Sequence, residues 1–596
     1  MSVLKWLLKA VVLLAGLWAF WYISIFWYKP FAIEDFYERI ALRYLLPREA
    51  WLTGAVSARQ NIRVGIIFQP RPPALLREWE INPADVAADL EVLKSYRRDK
   101  QSLEQLLSTD ALTWQMQQLI NADTCLAVEH PFNPFSGIHL IFVERLLLTQ
   151  TPQNAKEIRE YLEQLAGFAT TTSQALKKAI RLDSRCKQPL PCFAVLTSKN
   201  QLMRFLSVRP ASNPIYLHFR RHLARLETSL EAKQELDAEA LLLLQTTIYP
   251  AFQAIYDYLH QYDCTSFLPP QQALIDSVQY HSYFHRFANR MVEPHSLYQY
   301  AARLTDSLVM EIEKLLKVPS GKSWQSAYRK LNQTYHLRYP QRAKELAEAL
   351  SQAGMYLDSV VSYLFENTPA IKHGLYRMPV ALEGFISTGN PHPSQAQLLY
   401  NPSDSAFIPP AEVMAFAALE IMPGRLMQRA YQRQQNKLPT FRRYWDEPVF
   451  TNGWSSYIAS LIAEEKIFDN IDDYCGLLHQ QLARAALTVV DIGMHLYSWK
   501  YGDAVLFLVR NTALPVVEIN RRLHRLLLFP AYYCTYIMGG KLLLVMRKQA
   551  QEVLGTIFDI RQFHHYILSQ GSLPAHLMER PLKLYIAAAK KFHLYG

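Results

Sequence analysis

Through most of this 596-residue chain, apolar residues recur at three- and four-residue spacing. That is the period of one buried helix face. Residues 226–261 keep the pattern without a break, and residues 297–316 keep it after the start signal Glu-Pro-His-Ser at 293–296. "SAYRKLNQTY", "RAKELAEALSQAGMYLDSVVSYLF", "YCGLLHQQLARAALTVVDIGMHLYSW" and "KLLLVMRKQAQEVLG" repeat it. Strand candidates are few and short: "RVGIIFQ" near Arg63, "CFAVLTS" from Cys192, and "QAQLLYN" near Gln395. The irregular stretches are Pro-rich, "QPRPPALL" and residues 380–410. No internal repeat or low-complexity linker divides the body. The pattern predicts a mainly α protein with one large helical domain, residues 29–596.

One segment departs from amphipathic patterning. Residues 10–28, "AVVLLAGLWAFWYISIFWY", hold nineteen residues without a charge. As a helix they match the hydrocarbon core of a bilayer, about 30 Å. Trp18, Trp21, Tyr22, Trp27 and Tyr28 crowd the second half like an interfacial aromatic belt. A cleaved signal peptide would end in small residues, and this run ends in bulky ones. The expectation is an uncleaved single-pass anchor behind a short cytoplasmic N-terminus, residues 1–9. The main domain is then periplasmic, at a bacterial inner membrane. Lys5 and Lys9 favour that orientation, whereas Lys29, Arg39, Arg43 and Arg48 oppose it.

Composition adds limits. Half the residues are hydrophobic, enough for a large core. The net charge of +11 is interleaved with acidic residues and forms no basic tail or nucleic-acid motif. It reads as a solvated surface, with anionic membrane as the next option and no nucleic-acid partner. Cys186 and Cys192 enclose "KQPLP" and either close that loop as a disulfide or remain thiols. Cys125, Cys264, Cys475 and Cys534 lack zinc-ribbon spacing. His281 and His285 in "HSYFH" have the i, i+4 spacing of a zinc pair. They lack the intervening Glu of a zinc-peptidase helix and any further ligand beyond His295, so packing is the plainer reading. "PSGKSW" ends like a phosphate loop, but Leu316 stands where its first glycine belongs. No Gly-x-Ser-x-Gly elbow supports a serine nucleophile.

The stretch with chemical content is "AALEIMPGRLMQ", residues 417–428. Glu420 lies in an apolar run just before Pro423-Gly424. Downstream come "NGWSSY" at 452–457, "VVDIGMHLYSW" at 489–499 and "PAYYCTYIMG" at 530–539. Arg547, "LGTIFD" at 554–559, Phe563-His564, Gly571 and Pro574 follow. In order and spacing this resembles the bacterial domain-of-unknown-function family 885, most strongly over residues 380–580. Its members usually read His-Glu-x-x-Pro-Gly-His-His-Leu-Gln, then Glu-Gly-Trp-x-x-Tyr, then Val-Val-Asp-Thr-Gly-x-His. The resemblance implies a largely helical fold and a gluzincin-type zinc peptidase, with histidines of the first motif and the glutamate of the second holding zinc.

The departures fall on those ligand positions. Leu419 replaces the first histidine, Arg425 and Leu426 replace the His-His pair, and Asn452 replaces the glutamate. Leucine has no donor atom, arginine is a permanent cation, and asparagine offers only a neutral carbonyl. No zinc or other cofactor is expected, and Glu420 is left as a vestigial general base. A buried carboxylate needs a partner, and Arg425 across the Pro-Gly turn is the expected one, with Asn452 as a further contact. The expected binding cleft comprises Glu420, Arg425, Asn452, Trp454, Tyr457, His495, Arg525 and Tyr536. The expected function is a membrane-anchored pseudoenzyme that binds a peptide or protein partner without cutting it. The alternatives are a hydrolase with relocated chemistry, using His495, Glu420 and Tyr536 or a metal at His281 and His285, and a structural subunit of a membrane complex.

Overall fold

The computed structural model describes residues 16, 28–45, 82–121, 129–186, 188–264, 275–288, 291–338, 343–378, 397–401 and 408–595. The expected anchor at 10–28 lies outside them except at its Gly16 and Tyr28, as does the strand candidate near Arg63. Among the described residues no helix is long and apolar enough to cross a membrane.

The architecture is mainly α. Among the described residues there are two strands of two residues each, Tyr376–Arg377 pairing in parallel with Leu399–Tyr400, so "QAQLLYN" contributes a strand. "CFAVLTS" does not. It opens the helix Cys192–Leu206, which starts after Pro191 and buries Phe193, Ala194, Val195, Ser198, Gln201 and Leu202. That spacing is helical, and over a run of only seven residues it cannot be told from a strand. The 226–261 pattern becomes Leu230–Leu243, a π turn at Leu244–Ile248 and Tyr249–His260, where Pro250 sits in the first turn.

Cys192 does not pair with Cys186. It forms a disulfide with Cys264, with 5.4 Å between Cα atoms. Cys192 begins its helix while Cys264 follows the helix Tyr249–His260, which packs against it. Tertiary packing, not the short loop, brings the two sulfurs together. Cys186 is disulfide-bonded as well, and Cys475 and Cys534 are buried free thiols.

Two large apolar cores share the molecule. One gathers Phe36, Leu90 and Leu112 from the first part of the chain around Leu419, Trp454, Phe563 and Tyr585. The other joins the helices between 138 and 260 to Leu487, Val490 and Leu523. Helices of the C-terminal third therefore serve both, and they carry the residues of interest. Pro448–Glu464 crosses Cys534–Leu554 at glycines. A Cβ on Gly453 would lie 2.5 Å from Gly539, and one on Gly539 would lie 1.9 Å from the Val449 carbonyl. Only backbone fits at that crossing, which brings Asn452 beside Thr535.

Candidate functional site

The helix Val413–Glu420 ends at the turn leading to Pro423-Gly424, and a second helix, Arg425–Arg433, begins directly after it. The Met422–Pro423 peptide is cis. Leu419 would normally give its carbonyl to the N–H of residue 423, and proline has none. The Ser455 hydroxyl donates to that carbonyl instead, at 3.0 Å. Trp454 Nε1 donates to the Pro423 carbonyl at 2.9 Å. Gly424 is required because a Cβ there would sit 2.2 Å from the Leu419 carbonyl group. The turn is thus fastened to the "NGWSSY" helix by two of that motif's own side chains.

Glu420 is 7% exposed. Arg425 Nε donates to its Oε2 at 2.6 Å, and Arg425 Nη2 also reaches Oε2. Arg425 Nη1 donates to Asn452 Oδ1 at 3.1 Å, and Asn452 Nδ2 donates to Thr535 Oγ1 at 2.9 Å. Arg484 brings a second cation, with Nη2 at 3.5 Å from Glu420 Oε1 and donating to Ser455 Oγ at 3.0 Å. Its guanidinium lies 4.6 Å from the centre of the Tyr536 ring. Burial acts to lower the pKa of both arginines. For Arg425, Glu420 together with Tyr536 and Tyr532 outweighs burial and the pKa rises, whereas Arg484 stays below its usual value. Burial raises the Tyr536 pKa against the opposing effect of Arg425.

These residues do not fit a zinc ion. The Arg425 guanidinium is bonded to both Glu420 and Asn452, the positions at which the resemblance implies a general base and a zinc ligand, and Leu419 supplies no donor. His281 and His285 lie with ring centres 5.9 Å apart, and His295 engages Tyr497 and Gln299 instead of joining them. Among the described residues, no group of three or more His, Cys, Asp or Glu is placed to hold a metal.

The remaining expected residues separate. Tyr457 donates to His564 Nε2 at 2.7 Å, and His564 Nδ1 donates to the Leu364 carbonyl at 2.8 Å. Burial holds His564 down to about 4, so it is neutral. His495 is fully enclosed, bonded through Nδ1 to the Asp491 carbonyl at 2.8 Å and stacked on Tyr280 at 4.6 Å. No hydrogen bond, ion pair or ring contact joins His495 to Glu420 or Tyr536 among the described residues. Trp454 and Tyr457 meet Phe365 and His564 edge-on as core aromatics and lie tilted against each other.

Arg525 belongs to a different setting, a cavity of about 480 Å³. Asn452 also lines it and links it to the Arg425 network. Arg286, Asp446 and Glu447 line it too, and the sequence reading passed over all three, as it passed over Arg484. Arg484 carried a usable signal, a lone cation inside "LARAAL". Glu447 precedes a proline at a helix start and reads there as an ordinary boundary residue.

The solved structures include a similar protein, a candidate lipoprotein from Colwellia psychrerythraea. It is 18% identical, with a TM-score of 0.77 over 85% of this chain and 90% of that one. A candidate lipoprotein of unknown function from Shewanella oneidensis is 14% identical, with a TM-score of 0.64 over 90% of this chain and 97% of that one. At these identities the likeness is one of fold. No curated protein sequence matches the chain. The family model "Bacterial protein of unknown function (DUF885)" matches residues 78–582, and the chain belongs to that family.

Proposed function

We propose that this protein is a non-hydrolytic member of its family, anchored in the bacterial envelope, that binds peptides in the cavity beside the former metal site. One observation carries the reading: Arg425 is bonded to both Glu420 and Asn452, the places of the general base and a zinc ligand in the resembling peptidases. A water held beside Glu420 would have no metal to lower its pKa. The adjoining cavity has the size of a small-ligand pocket. The Cys192–Cys264 disulfide suits an oxidising compartment, and the lipoprotein description of two structural neighbours is in keeping with an envelope location.

The test uses the full chain in mild detergent with a pool of randomised peptides. Intact peptides should be retained and no cleavage products should appear, with or without added zinc. Zinc-dependent cleavage abolished by Glu420→Gln would overturn the reading.

A further inference from the structure

Three polar groups in the cavity wall go unanswered by the rest of the described protein. Arg286 lies in the last turn of the helix Ser277–Ala288, Arg525 in the last turn of Val516–Leu528, and Glu447 at the N-cap of Pro448–Glu464. Neither guanidinium has a hydrogen bond or ion pair with a described residue. Arg429, in the same wall, is tied to Asp446. The Arg525 guanidinium lies over two rings, Tyr532 at 5.7 Å and Phe135 at 6.0 Å. Glu447 is 6% exposed and has no side-chain hydrogen bond with a described residue. An N-cap carboxylate ordinarily accepts from the first amides of its helix. This one does not, although its backbone N–H is held by Ser572 Oγ at 2.7 Å.

Arg286 and Arg525 are half-buried and open to the cavity, and the buried Glu447 carboxyl beside them is uncapped. The cavity therefore presents two guanidinium groups and an acid to whatever partner enters it. Phe287, Phe529 and Tyr532 line the same space, so the partner also has an apolar body. Guanidinium groups match carboxylates in geometry and charge.

We propose that Arg286 and Arg525 bind the carboxylate of a ligand whose apolar or aromatic body lies against these rings, and that Glu447 donates to the same carboxylate. The proposal rests on the reading of the cavity as a ligand cleft, and it names the group recognised there. That group is the C-terminus of a peptide or the acid of a free aryl carboxylate. Glu447 is fit for donation at neutral pH. Burial raises its pKa to about 8, opposed by Arg286 and assisted by Asp446. The other charged groups in the wall are Glu129, Arg429 and Arg525. Above that pH its charge faces the ligand's, so binding weakens.

The experiment compares, on the full chain in mild detergent, two pools of randomised tetrapeptides ending in phenylalanine, one with free carboxyl ends and one amidated. A third probe is 3-phenylpropionate. The free-acid pool should be retained at least about tenfold better than the amidated pool, as expected for a charge-assisted pair. Arg525→Gln and Arg286→Gln should each remove that preference. Free-acid binding should fall as pH rises through about 8, and Glu447→Gln should flatten that fall. Equal retention of the two pools overturns the carboxylate site and leaves peptide binding standing. Arg525-dependent binding of 3-phenylpropionate alone supports the carboxylate site and overturns the peptide reading. Retention of none of the probes overturns both. The first comparison needs no variant, so it stands even where a substitution disturbs folding.

Discussion

Glu420 and Glu447 are both buried carboxyls, yet their surroundings are opposite. Glu420 faces two arginines, which also donate to Asn452 and Ser455, and Asn452 donates onward to Thr535. Glu447 has no such circle, and burial raises its pKa to about 8. Their difference separates structure from function in this molecule. A closed polar network holds a turn, whereas an open one waits for a ligand. The closed network is built on Glu420, and the open groups line the cavity that Asn452 also lines.

The largest effect should come from opening the closed side. Arg425→Met leaves Glu420 and Asn452 without their main donor in a buried setting. Removing one partner of a buried pair is destabilising by about 3–5 kcal/mol. The thermal midpoint should fall sharply, and the double substitution with Glu420→Gln should recover much of the loss. If the single and double variants melt alike, the two residues are not coupled.

Next comes the crossing that brings Asn452 to Thr535. Gly539→Ala would force a Cβ to within 1.9 Å of the Val449 carbonyl. Overpacking of that kind destabilises by about 3 kcal/mol. A melting point unchanged from wild type would contradict the close backbone approach.

The open side predicts a pH dependence. The folded pKa of Glu447 lies above its unfolded value, so between about 4.5 and about 8 the folded state holds the extra proton. Stability falls as pH rises through that window, by up to about 1.4 kcal/mol per pH unit, and is level above it. Glu447→Gln removes this slope and should melt higher than wild type at pH 9. An unchanged slope in the variant would mean that Glu447 is not the buried acid described.

The smallest effect concerns the turn itself. Trp454→Phe keeps the aromatic packing and loses only the donor to the Pro423 carbonyl. The expected loss is about 1 kcal/mol, read as a small drop in melting temperature.

Much of this was legible in the sequence, for identifiable reasons. Helices with long amphipathic repeats, such as Pro294–Leu315 and Ile471–Leu496, declare themselves by period. The pairing of Glu420 with Arg425 follows from electrostatics across a turn only four residues long. The helix at Cys192 was not legible as a helix, because a short apolar run fits either period. The Cys192–Cys264 disulfide was hidden because its two halves meet through packing of distant helices. The cavity was hidden for the same reason. Arg286, Glu447 and Arg525 come from three separate stretches of the chain; Arg525 was among the residues expected in the cleft, and no local pattern marks the other two. The surroundings of His495 were not legible, because a motif records neighbours in sequence, while His495 turns into an enclosed contact with Asp491 and Tyr280.

The central claim is that the Arg425 guanidinium has taken the place of a metal. The most direct measurement is the zinc content of the full chain, purified without chelator from cells supplied with zinc. The account predicts less than about a tenth of an equivalent, since Leu419, Arg425 and Asn452 leave no ligand set of the kind structural or catalytic zinc requires. Close to one equivalent of tightly held zinc would contradict it.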